Sequence, residues 1–176
     1  MTGSVEAHYG NEGIVARIVQ ALIDAGFDTA NLDADVLAGA DEFHIGGREG
    51  TLNVASVLNL APGQQLLDVG CGIGGTARFL ARSTGAAVTG VDLTPEFVEA
   101  AVELTNLVGM GGLVDFKVGS ATDLPFMDDS FDAVTMLHVG MNIEDKNQMM
   151  SELARVCRTQ GTIVVYDVTL TKTGEL

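Results

Sequence analysis

The spacing of apolar positions divides the chain into two parts. In EGIVARIVQALIDAG, residues 12–26, apolar side chains fall at Ile14, Ile18, Ala21, Leu22 and Ala25. That spacing of three and four is one face of a helix, and Gly26 is a natural stop. NLDADVLAGADEF predicts a second, shorter helix, and TLNVASVLN a third that ends before Pro62. From Gln65 the pattern changes. Short, mostly apolar runs (QLLDV, AAVTGVD, LVDFKVG, FDAVTML, TIVVYDVTL) are strand-like. Three helical segments separate them: GGTARFLARST, TPEFVEAAVELTNLVG and EDKNQMMSELARVCRT. In the second of these, Thr94 fits the N-cap, Pro95 the first helical position and Gly109 the stop. Strands without a polar face, alternating with helices, imply a parallel sheet covered on both sides. The expected architecture is α/β, a doubly wound and mainly parallel sheet. Residues 1–60 form a helical cap and residues 61–176 the sheet core.

Composition narrows the partners. The chain has 176 residues, a formal net charge of −15 and only three lysines. Binding to nucleic acid or an anionic membrane needs clustered Lys and Arg, so neither is expected. No apolar run reaches the roughly 18 residues of a membrane-spanning helix, and the N-terminus lacks the pattern of a signal peptide. Cys71 and Cys157 lie far apart, with no zinc spacing and no CxxC pair. They read as reduced thiols of a cytoplasmic protein.

Chemistry concentrates in LLDVGCGIGG, residues 66–75, where a strand runs into a glycine loop and then a helix. Gly70, Gly72 and Gly75 satisfy G-x-G-x-x-G, and Gly70, Gly72 and Gly74 satisfy G-x-G-x-G. Such a loop lets a ligand touch the backbone. Asp92 ends the next strand about 20 residues on, where an acid can accept both hydroxyls of a ribose. NAD and an adenosyl cofactor both meet these conditions. Asp68 separates them in part. A carboxylate two residues before the first glycine repels a pyrophosphate but suits a sulfonium and an ammonium, which are the charges of S-adenosylmethionine.

With these residues in place, the chain resembles the class I S-adenosylmethionine-dependent methyltransferases. LDVGCGIGG looks like their first motif, VTGVDLT like their second, and the stretch from Val118 to Val168 like the remainder. DEFHIGGREGT and HVGMNIEDK are similar to the branch containing sarcosine/dimethylglycine and phosphoethanolamine N-methyltransferases. The resemblance implies a Rossmann-like fold and methyl transfer to a small polar acceptor, with an amine favoured. Position by position, it implies that Gly70, Cys71, Gly72 and Gly74 surround the methionine part of the cofactor beside Asp68. Asp92 would bind the ribose and Leu93 would pack on the adenine. Ser120 and Ala121 would lie at the adenine edge, where the family usually has an acid in place of Ser120. His138, or the carbonyl of Leu137, would lie near the sulfonium. Where the family has Pro-Gly-Gly, this chain has Thr159, Gln160 and Gly161.

His8 reads as solvent-exposed. His44 and His138 are the candidates to orient the acceptor or take its proton. His44 lies in a segment with Phe43, Gly46 and Gly47 that is expected to fold over the cofactor. Two other readings compete with the enzyme: a non-catalytic cofactor-binding or oligomerisation module, and an NAD-dependent oxidoreductase. The resemblance also implies seven strands, of which five are seen here. That leads to the expectation of a shortened methyltransferase with weak turnover. The apolar fifth strand would be covered by another chain in a homodimer.

Overall fold

The computed structural model describes residues 13–41 and 44–169. Helix α1 is Ile14–Asp24, a 3₁₀ turn covers Ala34–Leu37, and the short α2 is Ala38–Asp41. Helix α3 is Gly47–Val57. It starts four residues before the predicted segment, because Gly46 turns the chain at φ 92° and its carbonyl accepts from Glu49 and Gly50. There follow β1 Gln65–Val69, α4 Gly75–Thr84, β2 Ala87–Asp92, α5 Pro95–Leu107 and β3 Val114–Val118. The chain then builds β4 Phe131–Leu137, α6 Lys146–Val156 and β5 Cys157–Tyr166.

Helix ends are set by particular side chains. Pro95 opens α5 as expected, but the Thr94 hydroxyl makes no capping bond. Instead the Thr94 amide donates to Asp92 Oδ1 at 2.9 Å, so the acid ending β2 also ties down the start of α5. Asp145 caps α6 by accepting from the Gln148 amide at 2.9 Å.

The five strands form one sheet in the order β3-β2-β1-β4-β5, and every pair is parallel. The order reverses between β1 and β4. In such sheets the crevice beyond the carboxyl ends of these two strands is where ligands bind. One apolar layer packs α3 and α4 against Leu66, Val88 and Ala133. The other packs α6 against Leu67, Val69, Val134 and Met136. Val15, Val19 and Leu22 of α1 and Leu37 pack with Ala100 and Leu104 of α5. The N-terminal helices therefore share a core with the sheet's own helices.

Strand β5 follows α6 directly. Its register on β4 slips between Cys157, opposite Phe131, and Thr162, opposite Ala133. The slip places Gln160 at φ 69°, a left-handed backbone rarely adopted by a side-chain-bearing residue. The strand lies at the edge of the chain's own sheet, with Arg158 to Thr162 exposed and Val165 43% exposed. The sequence leads to five strands with the fifth left uncovered by the chain itself, and among the described residues β5 is such an edge.

Candidate functional site

At the β1/β4 crevice lies a cavity of about 270 Å³. Its wall combines Asp68, Gly70, Cys71 and Gly72 from the end of β1, Asp92 from β2, Leu137 and His138 from β4, and His44 from the cap. Eight residues singled out in the sequence thus meet in one place. Asp41, Ile73, Thr76, Phe97 and Val139 complete the lining, and sequence reasoning missed them. Gly74, Leu93, Ser120 and Ala121 are not part of this wall. The space beside Gly74 is taken by Arg78 and Phe116, each 2.7 Å from where a Cβ would stand, so this glycine serves packing. Leu93 is 71% exposed. The Ser120 hydroxyl bonds Thr122 at 2.8 Å. His8 and Phe43 lie outside the described residues.

The loop is shaped by two glycines with different tasks. Gly70, at φ 74°, lies against Val139, which leaves no room for a Cβ. Gly72, at φ 52°, has open space where a Cβ would project, and it lines the cavity. A ligand can approach its backbone there. The Gly72 amide is itself held by Asp92 Oδ2 at 2.9 Å. Asp92 therefore fixes the loop with one oxygen and α5 with the other. Each carboxylate oxygen has a further lone pair for a ribose hydroxyl.

Asp68 is buried, with Oδ1 2.9 Å from the Thr135 hydroxyl and Oδ2 without a hydrogen-bond partner. Burial pushes its carboxyl up to about 7; Thr135 opposes this and the Asp92 charge adds to it. The Thr135 hydroxyl also reaches the Leu67 carbonyl at 3.3 Å. A hydroxyl has one proton, so Thr135 shares it between the Asp68 carboxylate, at the shorter distance, and the Leu67 carbonyl. An orphaned buried oxygen in a cavity wall fits a cationic ligand group. Burial, reinforced by Asp68 and Asp92, pushes the Cys71 thiol up, which makes it an inert wall rather than a nucleophile.

Three rings cluster at the far side, and two of them, His44 and His138, line the cavity. His138 stands at φ 56°, and its amide donates to the Tyr166 carbonyl at 2.8 Å. The His138 ring lies 5.5 Å from that of Tyr166 and 6.0 Å from that of His44, centroid to centroid. His44 Nε2 lies 2.9 Å from the Thr51 hydroxyl. Burial holds its imidazole below the usual histidine range; the Ile45 carbonyl opposes this and His138 adds to it. His44 is thus tied to Thr51 in α3, and His138 stands at the cavity just past the end of β4. No described helix is long and apolar enough to cross a membrane.

The arrangement has counterparts among known proteins. A model of the methyltransferase domain matches residues 67–165, more than half of the chain. The methyltransferase GfsG of Streptomyces halstedii is 37% identical over 63% of this chain and 40% of its own length. The 2-methyl-6-phytyl-1,4-hydroquinone methyltransferase of Synechocystis is 43% identical over 61% of this chain and 33% of its own. A solved structure of Haemonchus contortus phosphoethanolamine N-methyltransferase 2 has phosphomonomethylethanolamine and S-adenosylhomocysteine bound. It superposes with a TM-score of 0.65 at 28% identity, over 73% of this chain and 31% of that one. The chain thus spans less than half the length of these relatives. A glycine loop at the reversal of a parallel sheet, an acid at the end of β2 and a domain match across both place this chain among the class I S-adenosylmethionine-dependent methyltransferases.

Proposed function

We propose that the chain binds S-adenosylmethionine in the β1/β4 cavity and directs its methyl group to a small polar acceptor, with an amine favoured by the N-methylating branch it resembles. When bound, this cofactor supplies a methyl carbon already activated by a positive sulfonium. The observation that carries the reading is the orphaned Asp68 oxygen in the same cavity wall as Gly72 and Asp92. Asp68 would accept from the cofactor's ammonium, Gly72 would admit its chain to the backbone, and Asp92 would receive the ribose hydroxyls. A nicotinamide dinucleotide would place a pyrophosphate against Asp68, an unfavourable pairing.

The protein's share of the chemistry is orientation and proton removal. Holding acceptor and methyl in line accounts for most of the achievable rate. His138 would take the proton that an ammonium or hydroxyl acceptor loses. Tyr166 would hold its ring from behind, and His44 would wall the acceptor space. We further propose that residues 1–60 act as a cap on the 61–176 core. The cytoplasm is the proposed location, because Cys71 and Cys157 are both free and buried.

Calorimetry with S-adenosylhomocysteine and with NAD tests the cofactor, with binding of the first and not the second expected. Methyl release across amines, phenols and hydroquinones tests the acceptor. For the quaternary state we propose that the exposed edge of β5 pairs with β5 of a second copy about a twofold axis. Light scattering at micromolar concentration should give twice the chain mass; the mass of a single chain would count against it.

A further inference from the structure

Arg78, on α4, is almost wholly enclosed at 1% exposure, a rare place for an arginine. Its guanidinium reaches four acceptors from three parts of the fold. One terminal nitrogen donates to Asp41 Oδ2 at 2.6 Å and to the Ile73 carbonyl at 2.9 Å. The other donates to the Thr105 hydroxyl at 2.8 Å and the Ala101 carbonyl at 3.4 Å on α5. Asp41 ends α2 in the cap and Ile73 lies in the glycine loop; both line the cavity. Backbone accommodates the pair as well: any Cβ on Gly75 would fall on the Asp41 carbonyl and carboxylate. Three residues after Asp41 comes His44, also in the wall.

A buried ion pair seldom stabilises a fold more than packed apolar side chains would. What a guanidinium supplies and an apolar side chain cannot is fixed direction, since its planar fork holds several acceptors at set angles. We infer that Arg78 is a positioning residue that locks the glycine loop and the cap into one unit through Ile73 and Asp41. Cofactor affinity and the placement of His44 then depend on the same side chain. The inference rests on the cofactor reading above only for its ligand.

The test uses Arg78→Lys, which keeps the charge and loses the fork, and Asp41→Asn. Val156→Ala is the control: it shortens a fully buried side chain at the end of α6, in the layer on the other face of the sheet. Hydrogen exchange of segments 44–51 and 70–75 is measured without ligand, and S-adenosylhomocysteine affinity by calorimetry. In Arg78→Lys both segments should exchange faster together, and affinity should fall at least tenfold. Val156→Ala should lower the melting temperature with neither effect. An affinity within twofold of the parent, or loosening of one segment alone, overturns the inference. If the parent itself does not bind S-adenosylhomocysteine, the cofactor reading fails, and exchange alone decides this one. If Arg78→Lys does not fold, Asp41→Asn decides it by the same two readouts.

Discussion

His138 and Tyr166 are joined twice: the His138 amide donates to the Tyr166 carbonyl at 2.8 Å, and their rings stand 5.5 Å apart. The last residue of β5 therefore sets where the imidazole that follows β4 is held. Strand β5 shapes the site although it contributes no residue to the cavity wall.

A first prediction concerns that imidazole. Asparagine tolerates the left-handed backbone seen at φ 56° and carries no base. His138→Asn should bind S-adenosylhomocysteine within twofold of the parent. Methyl transfer should fall by roughly 10²–10⁴, the usual worth of a positioned acid or base. Initial rates with an acceptor that the parent methylates measure it, and an unchanged rate would remove His138 from the chemistry.

The second prediction follows from the two tasks of Asp92. Its oxygens hold the Gly72 and Thr94 amides, so Asp92→Ala frees the loop and the start of α5 together. Cofactor binding should weaken by about 2–3 kcal/mol, because hydrogen bonds to a charged group are worth that much. The ligand-free protein should also lose about 1 kcal/mol from the missing helix-start contact. Calorimetry and thermal melts separate the two losses, and undiminished cofactor affinity would contradict the ribose assignment.

How far these features could be read from sequence depends on whether the signal is local. The strands and the crevice came from short-range pattern: β1 matches QLLDV residue for residue, and Asp68, Gly72, Asp92 and His138 meet as their positions at strand ends imply. Gly74 matched the same motif but packs against Arg78 and Phe116, because a glycine pattern does not say which glycine faces the ligand. The Arg78–Asp41 pair spans 37 positions, and no local spacing announces it. One signal was present. Arg78 shares a helix face with Ala81, which is buried, and a charge in an apolar phase needs a partner.

A third prediction addresses the strained turn in β5. Gln160 at φ 69° carries a Cβ that disfavours this backbone, and glycine does not. Gln160→Gly should stabilise the protein by roughly 0.5–1 kcal/mol, after allowing for the greater entropy glycine loses on folding. Urea denaturation at constant m-value is the measurement. A loss of stability would mean that the glutamine side chain contributes more than its backbone costs.

The last prediction is the pH dependence imposed by Asp68. Its folded carboxyl titrates near 7, well above the ordinary 3.8. Below about pH 4 it is protonated in folded and unfolded chains alike, and no penalty arises. Between pH 4 and 7 the unfolded chain releases this proton while the folded one keeps it, so stability falls as pH rises. Above 7 both forms are ionised and the loss is complete, at roughly 4 kcal/mol as an upper figure. Asp68→Asn has nearly the same shape and no charge. Its melting temperature should therefore match the parent's near pH 4 and exceed it increasingly up to pH 7. Cofactor binding should reverse the sign of the site's preference, since an ammonium beside Oδ2 favours the carboxylate. S-adenosylhomocysteine binding at pH 6.5 should then release protons, seen as a buffer-dependent heat in calorimetry, and Asp68→Asn should abolish that release. Binding with no proton release in the parent would mean that the ammonium does not lie at Asp68.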